Sequence, residues 1–200
     1  MIIASGRVRA YPGERRSGDA VFIEETAQGT LLALVDALGH GPTAASTAEL
    51  AVDTIAAHRH ERPARIVEAC HERLLRGRGA VISVILLDPR GEGVFAGVGN
   101  VSARIHPESP RNAVLLPSAG VVGHRYRTLR ELSFRLPGDG IGMLHSDGIG
   151  SRVDPLAGPK LLIDAAAESL LATFAKATDD ASLILFAHRG GPRFSEELAR

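Results

Sequence analysis

Apolar residues occur in short runs over most of the chain, and only three stretches repeat them at helical spacing. The first stretch follows Pro42, where small and apolar residues from Ala44 to Ala56 lie on one face of a helix. Pro63 opens the second stretch, and the third covers Lys160 to Lys176. Proline is favoured in the first turn of a helix. The pattern therefore predicts three helices.

The other apolar runs are short and are bounded by glycine, proline or polar residues, as is typical of β-strands. The predicted strands are Ile2 to Ala10, Ala20 to Ile23, Leu31 to Val35, Ala80 to Leu87, Val94 to Val98, Val101 to Ile105, Ala113 to Leu116, Leu129 to Leu136, Gly140 to His145 and Ala181 to His188. Gly99-Asn100 predicts a tight turn, Ser118 to Arg127 an irregular segment, and Gly190 to Arg200 a frayed tail.

The order of these elements predicts the fold class. Helices are grouped and the middle of the chain is all strands, which favours antiparallel sheets in an α+β fold over a regular βαβ winding. So many strands exceed what one covered sheet holds. We expect one domain over residues 1–200, built as two stacked antiparallel sheets with helices outside.

Composition and charge exclude several classes of protein. The chain has 23 basic and 23 acidic residues and 4% aromatic residues, which argues against a dedicated nucleic-acid binder. Its single cysteine, Cys70, excludes an internal disulfide and is expected to pack in the core. No apolar run approaches the roughly 18 residues of a membrane span, and no signal peptide is evident. We expect a cytoplasmic monomer with no membrane partner.

Four aspartates stand where predicted strands begin or end, each beside small residues: Asp19, Asp36, Asp147 and Asp179. Taken alone, Asp36 is equally well a turn residue or a helix cap. Bringing four carboxylates together without cations is costly, because like charges raise one another's pKa. Divalent ions remove that cost, and all-oxygen ligands favour Mg²⁺ or Mn²⁺ over zinc. Two such ions about 4 Å apart can activate a water for attack on a phosphoryl group.

The segments that carry these aspartates resemble those of a known family. In chain order they are Ser17-Gly18-Asp19, Val35-Asp36-Ala37-Leu38-Gly39-His40-Gly41, His145-Ser146-Asp147-Gly148-Ile149 and Asp179-Asp180-Ala181-Ser182. They resemble the metal-dependent protein serine/threonine phosphatases (PPM family), in the SpoIIE-like branch, and the resemblance runs from about Ile2 to His188. Gly97-Val98-Gly99-Asn100-Val101 and the short chain without a sensor domain resemble the RsbX-type subgroup of stressosome phosphatases.

The resemblance implies a four-layer αββα sandwich of two antiparallel sheets flanked by helices. It also implies that Asp36 bridges two Mn²⁺ or Mg²⁺ ions, with the Ala37 carbonyl completing one of them. Asp19, Asp147 and Asp179 would hold the other ion or its waters. A metal-activated water would attack phosphorus with no phosphoenzyme. The implied substrates are phosphoserine and phosphothreonine on STAS-domain proteins of the stressosome.

The chain departs from the family pattern in three places. The eukaryotic-type members have histidine where this chain has Leu38; His40, two residues on, is either a general acid or a turn residue. Ala37 replaces the usual glycine after the bridging aspartate. Arg15 and Arg16 lie near the place of a phosphate-binding arginine, and each is either a phosphate ligand or a solvated charge.

Two alternatives to the stressosome phosphatase stay open. The same chemistry could act on a phosphorylated anti-anti-sigma factor, or the fold could be a non-catalytic phosphoprotein-binding domain. Glycines from Gly97 to Ala103 do not predict a dinucleotide site, because that fingerprint requires a following helix. Ser146 lacks the surroundings of a nucleophile elbow.

Overall fold

The structure is a computed structural model that describes residues 1–106, 114–138, 140–154 and 162–189. Within these residues the strands are β1 (Ile2–Arg9), β2 (Asp19–Thr26), β3 (Gly29–Ala37), β4 (Ala80–Leu87), β5 (Glu92–Val98), β6 (Ser102–His106), β7 (Val114–Leu115), β8 (Gly120–Val121), β9 (Arg125–Tyr126), β10 (Glu131–Arg135), β11 (Ile141–His145) and β12 (Ala181–His188). The helices are α1 (Gly41–Ala57), α2 (Pro63–Leu74) and α3 (Ile163–Phe174).

Two five-stranded sheets form the centre of the molecule, and their neighbouring strands pair antiparallel wherever a register is defined. One sheet has the order β10-β5-β4-β3-β2 and the other the order β1-β12-β11-β6-β7. β3 is almost wholly buried, because it lies inside its sheet and has helices on one face and the second sheet on the other. This double burial explains its unbroken apolar run, Leu31 to Val35.

Three apolar layers hold the sheets and helices together. Leu34, Phe95 and Phe186 belong to the layer between the two sheets. A second layer, which includes Ile55 and Cys70, lies between the first sheet and helices α1 and α2. A third fills the space between α3 and the second sheet. The predicted αββα sandwich is therefore confirmed, and Cys70 packs in the core, where burial raises its pKa to about 12.

Two strands at the edge of the first sheet are longer than predicted. β2 begins at Asp19 and extends to Thr26, and β3 extends to Ala37. Their backbone pairing continues past the apolar residues, with Asp19 opposite Asp36 at one end and Thr26 opposite Gly29 at the other. Asp36 thus lies within a strand rather than after it.

The turn at Gly99-Asn100 separates two strands that do not pair with each other. Gly99 has φ +113°, as the tight-turn prediction requires, but β5 belongs to the first sheet and β6 to the second. The predicted irregular segment from Ser118 to Arg127 contains the small β8–β9 hairpin. Local turn chemistry predicted the reversal but not the change of sheet, which depends on the packing of both layers.

The third helix begins at Ile163 and ends at Phe174, so Lys176 lies beyond its end. Lys160, Ala113 and the tail from Gly190 to Arg200 lie outside the described residues. None of the described helices is long and apolar enough to cross a membrane.

Candidate active site

Strand ends from both sheets meet at one edge of the sandwich and carry the four predicted aspartates there. Asp19 and Asp36 face each other across the β2–β3 ladder. Asp147 follows β11 and Asp179 precedes β12, two strands that are paired in the other sheet. The negative charges of Asp19, Asp147 and Asp179 all act on Asp36, so the four carboxyl groups lie close together.

Burial and mutual repulsion disturb the ionisation of this cluster. The pKa of Asp36 is raised to about 8, mainly by burial and then by the charges of Asp19 and Asp147. Burial also raises the pKa of Asp19 to about 7, although the hydroxyls of Ser146 and Ser182 oppose the rise. A carboxyl group that ionises this reluctantly lacks a positive partner.

Asp179 shows the same effect at the rim of the cluster. Its pKa is raised by partial burial and by the charge of Asp147, and the ammonium group of Lys176 opposes that rise. The repulsion therefore extends across both sheets, since Asp179 and Asp147 belong to one sheet and Asp36 to the other.

The donors of this cluster fit a hard divalent cation. Oδ2 of Asp19 is buried and has no hydrogen bond of normal geometry, and the same is true of the Ser182 hydroxyl, although that hydroxyl lies near enough to lower the pKa of Asp19. In the described residues, no three Asp, Glu, His or Cys side chains lie close enough together to hold a metal ion as they stand. Carboxylates without an ion repel each other, and an orphaned buried oxygen is what a bound cation or its water would satisfy. The all-oxygen donor set favours Mg²⁺ or Mn²⁺.

The Ala37 carbonyl does not accept the hydrogen bond from Gly18 that a continued β2–β3 pairing would supply. The Ala37 N–H donates to the Gly18 carbonyl at 3.0 Å. A regular ladder would return a bond from the Gly18 N–H to the Ala37 carbonyl. Instead, that N–H donates to Oδ2 of Asp180 at 3.1 Å. The Ala37 carbonyl, implied as a metal ligand, is thereby spared this partner.

Asp180 is a structural carboxylate that the sequence motif did not distinguish from its neighbour. Its Oδ1 accepts bonds from the Tyr11 N–H at 2.8 Å and the Ser17 hydroxyl at 3.0 Å, and its Oδ2 accepts from the Gly18 N–H. It is buried, unlike the half-buried Asp179. Asp180 therefore ties the loop before Asp19 to the start of β12.

Asp147 is exposed and is held by two residues that the sequence did not assign to the site. The side-chain amide of Asn100 donates to Oδ2 of Asp147 at 2.9 Å. The Lys176 ammonium donates to the Asp147 carbonyl. Gly148 has no room for a side chain, since a Cβ there would lie 1.7 Å from the Asp180 carbonyl oxygen. These contacts fix the loop that presents Asp147 to the cluster.

Ser146 joins the two sheet-end segments under the cluster. Its hydroxyl oxygen accepts the Ser182 N–H at 3.0 Å, and the Ser146 N–H donates to the Ser182 carbonyl at 3.0 Å. The hydroxyl proton is then available to Asp19, whose pKa it lowers. Ser146 is almost fully buried, so it supports Asp19 and is not placed as a nucleophile.

His40 lies in the turn after Asp36, and its ring contacts residues outside the aspartate cluster. Its ring stacks on Tyr11 with centroids 4.2 Å apart and planes 12° apart. Its Nδ1 lies 3.4 Å from Oε1 of Glu14. Gly39 and Gly41, on either side, have φ +80° and +78°, which residues with a side chain rarely adopt. The turn thus holds the imidazole in one orientation, with Nε2 as the nitrogen left for a ligand.

The two predicted phosphate-binding arginines differ in their partners. Arg16 forms an ion pair with Glu49 of α1. Arg15 is exposed, and within the described part of the chain it has no ion-pair partner. The structure therefore leaves Arg15, rather than Arg16, free to contact an anion.

Sequence reasoning missed the residues that support the aspartates: Asn100, Lys176, Asp180, Ser146 and Ser182. Asn100 was visible only as a turn residue in the segment Gly97 to Val101. Asp180 and the two serines stand inside the motifs, but one-dimensional spacing does not distinguish a ligand from the group that orients it. Lys176 carried no sequence signal at all.

The comparisons with known proteins agree with this geometry. No protein-family model matches the chain. The curated relative "Phosphoserine phosphatase RsbX" of Bacillus subtilis (strain 168) is 22% identical over 138 residues, which is 68% of this chain and 69% of that protein.

Solved structures match over nearly the full length. A structure described as "The bacterial stressosome: a modular system that has been adapted to control secondary messenger signaling" has 26% identity, covers 93% of this chain and 99% of its own, and has a TM-score of 0.85. RsbX in complex with magnesium has 21% identity, a coverage of 92% and 94%, and a TM-score of 0.80. The PP2C phosphatase domain of SpoIIE from Bacillus subtilis has 16% identity, a coverage of 94% and 63%, and a TM-score of 0.75. The resemblance to the PPM family carried by the four motifs is confirmed.

We expect the metal-free protein to lose stability as the pH rises. In the folded protein the pKa is about 8 for Asp36 and about 7 for Asp19, whereas the ordinary value is 3.8. At a pH between the ordinary and the folded values, the folded state therefore holds more protons than the unfolded state. The contribution of these two protonated groups to the free energy of unfolding is complete below about pH 4 and is lost as the pH rises through 8. In a chelator, the Tm should fall by several degrees from pH 6 to pH 9, because about 1 kcal/mol moves the Tm of such a domain by about 2–4 °C.

Two variants test the origin of this slope by thermal unfolding. Asp36→Asn should raise the Tm at pH 9 in chelator and reduce the stabilisation by Mn²⁺ or Mg²⁺. Asp53→Asn, on an exposed position of α1, is the matched control and should behave as the unmodified protein does. A metal-free Tm that increases from pH 6 to pH 9 would contradict the assignment.

The neighbouring aspartates Asp179 and Asp180 should respond oppositely to the same change. Asp179→Asn removes a repelled carboxylate, so the metal-free Tm at pH 8 should stay or rise while divalent-ion binding weakens. Asp180→Asn places an amide against three donors and should cost about 1–3 kcal/mol of stability. Urea unfolding in chelator measures the stability of both variants. Equal effects of the two substitutions would contradict the assignment of Asp179 as a metal ligand and Asp180 as a structural carboxylate.

Proposed function

We propose that this chain, an RsbX-like phosphatase of the metal-dependent (PPM) family, hydrolyses phosphoserine and phosphothreonine on STAS-domain proteins of the stressosome. The observation that carries the proposal is the set of four carboxylates converging from both sheets, with a buried orphaned oxygen on Asp19. A binding scaffold has no need of a carboxylate cluster in which burial and mutual repulsion raise the pKa of Asp36 to about 8.

We assign the cation ligands to the residues that converge. Asp36 would serve both ions, the Ala37 carbonyl would be a further ligand of one of them, and Asp19, Asp147 and Asp179 would hold the other ion or its water shell. When bound, Mn²⁺ or Mg²⁺ would neutralise this cluster, lower the pKa of a water and polarise a phosphoryl group. The magnesium complex of RsbX supports a divalent ion for the relative; we propose two ions for this chain.

Residues of the chain would position the substrate and supply the proton for the departing serine oxygen. His40 is held by Tyr11 and Glu14 with Nε2 free, so we propose it as the proton donor to that oxygen. Arg15 has no ion-pair partner in the described residues and has a planar fork suited to phosphate oxygens. Asn100 and Lys176 would keep Asp147 in place without touching the substrate.

The choice of substrate rests on the relatives. The curated relative is a phosphoserine phosphatase, and one structural neighbour is described with the bacterial stressosome. Both support a stressosome phosphoprotein in the cytoplasm as the partner. A phosphorylated anti-anti-sigma factor is the second candidate, since the same chemistry would serve it.

The first test is phosphate release from a phosphorylated STAS-domain protein with and without Mn²⁺ or Mg²⁺. We expect turnover that requires the ion and falls at least about 100-fold in Asp36→Asn and Asp147→Asn, because charge stabilisation at such sites supplies about 3–4 kcal/mol. Asp53→Asn is the control. Full activity of either site variant would refute the site, and substrate binding without turnover in metal-replete buffer would favour a non-catalytic domain.

The role of His40 has a test of its own in the leaving group. A serine alkoxide needs a proton as it departs, whereas an aryl oxide of low pKa does not. His40→Gln should lower kcat on a phosphoserine protein by about 100-fold and have much less effect on an aryl phosphate. Equal losses on both substrates would assign His40 to the shape of the turn instead.

A further inference from the structure

Some exposed arginines form ion pairs with carboxylates and others do not, and four of the unpaired ones lie on two segments next to the site. Arginines in ion pairs with Asp or Glu are Arg7, Arg16, Arg59, Arg62, Arg65 and Arg135. Four others surround the approach to the Asp36 turn: Arg76, Arg78, Arg125 and Arg127, here called the arginine rim. All four are exposed, and none of them forms an ion pair within the described residues.

Backbone and side-chain contacts connect the rim directly to the site. Nη1 of Arg78 donates to the Leu38 carbonyl at 3.1 Å, two residues after Asp36. The carbonyl of Arg78 lies 3.0 Å from Nε2 of His124, which precedes β9. Ala80 pairs with Ala37 on one side and with Val122 of the hairpin on the other. The β8–β9 hairpin is therefore fixed beside the turn that follows Asp36.

The hairpin is also anchored to α2, so its arginines have a defined position. The Gly123 N–H donates to Nδ1 of His71 at 3.0 Å, and the His71 ring meets Tyr126 edge-on at 4.8 Å. A Cβ on Gly123 would lie 2.8 Å from Leu74, so the hairpin lies directly on the helix. Tyr126, between Arg125 and Arg127, is half-buried against α2, while both arginines are exposed.

Two acids of α2 lie near the rim but form no ion pair with it in the described residues. Glu68 is bound to Arg65, and Glu72 is exposed; burial and then the charges of these two glutamates raise the pKa of Tyr126. Leu38 and Leu75 add exposed apolar surface next to the rim, at 40% and 51% exposure. The surface thus combines four exposed guanidinium groups with two exposed leucines, on a chain whose formal net charge is zero.

We propose that the arginine rim docks an acidic segment of the phosphoprotein substrate, adjacent to its phosphorylated residue; this rests on the proposed function. Guanidinium groups form paired hydrogen bonds with carboxylates. Because the chain has no net charge, a local positive patch attracts an acidic segment to one place on the surface rather than to the protein as a whole. The rim lacks the stacking rings of a single-strand nucleic-acid surface, because Tyr126 packs against His71. An acidic protein segment is the occupant that the charges favour.

The test compares Arg125→Glu/Arg127→Glu with Arg90→Glu, a control in the β4–β5 turn at the far end of the sheet. Substrates are two phosphoserine peptides of equal length, one with Asp/Glu flanks and one with Ser/Gln flanks, and an aryl phosphate. For the acidic peptide, kcat/KM should fall at least about tenfold in the double variant and lose its salt dependence. The neutral peptide and the aryl phosphate should change less than about twofold, and Arg90→Glu should change none of the three.

Several results would contradict the docking role of the arginine rim and leave the proposed function unaffected. These are equal losses on all three substrates, no loss on the acidic peptide, or a single-stranded oligonucleotide that binds the rim more tightly than the peptide does. Peptide binding to Asp36→Asn by fluorescence anisotropy is measured in parallel. If the unmodified protein hydrolyses none of the substrates, the proposed function is wrong. The binding assay still tests the docking role, because a preference for the acidic peptide that depends on the rim arginines would support it and the lack of such a preference would contradict it.

Discussion

Repulsion among carboxylates at one edge of the sandwich is the constraint on which the rest of the site depends. Buried Asp19 and half-buried Asp36 face each other in one sheet, and Asp147 and Asp179 approach them from the other. Burial alone would keep such groups protonated, since the charged form loses its hydration. The divalent cations that we propose would resolve this conflict and turn a destabilising cluster into a site for phosphate chemistry. The fold must therefore hold the carboxylates together while they repel each other.

The bracing is done by residues that are not themselves ligands. Asp180 binds three donors from the segment before Asp19, and Ser146 joins the ends of β11 and β12. Asn100 reaches Asp147 from the point where the chain passes from one sheet to the other. Each contact crosses between segments distant in sequence, so the site forms only when both sheets have packed. The affinity for the proposed cations would therefore depend on the same contacts that stabilise the fold.

The same arrangement separates chemistry from recognition. The carboxylates and His40 lie at the strand ends and in the glycine turn, whereas the proposed arginine rim is carried by α2's following loop and the β8–β9 hairpin. Arg78 connects them through the Leu38 carbonyl, and Ala80 connects them through its pairing with Ala37 and Val122. Changes in the hairpin could thus alter which phosphoprotein is accepted while the phosphate-binding geometry stays intact.

The sequence by itself determined the three helices, most strands, the αββα class and the four aspartates, because periodicity, proline and glycine act locally. It also carried the family resemblance, through motifs that sit at strand ends. It did not separate Asp179 from Asp180, since neighbouring residues differ only in which way they face. It gave no sign of Lys176, and it predicted the Gly99 turn without the change of sheet. Those features depend on contacts across the two sheets, and only the tertiary structure decides which distant groups meet and how deeply they are buried.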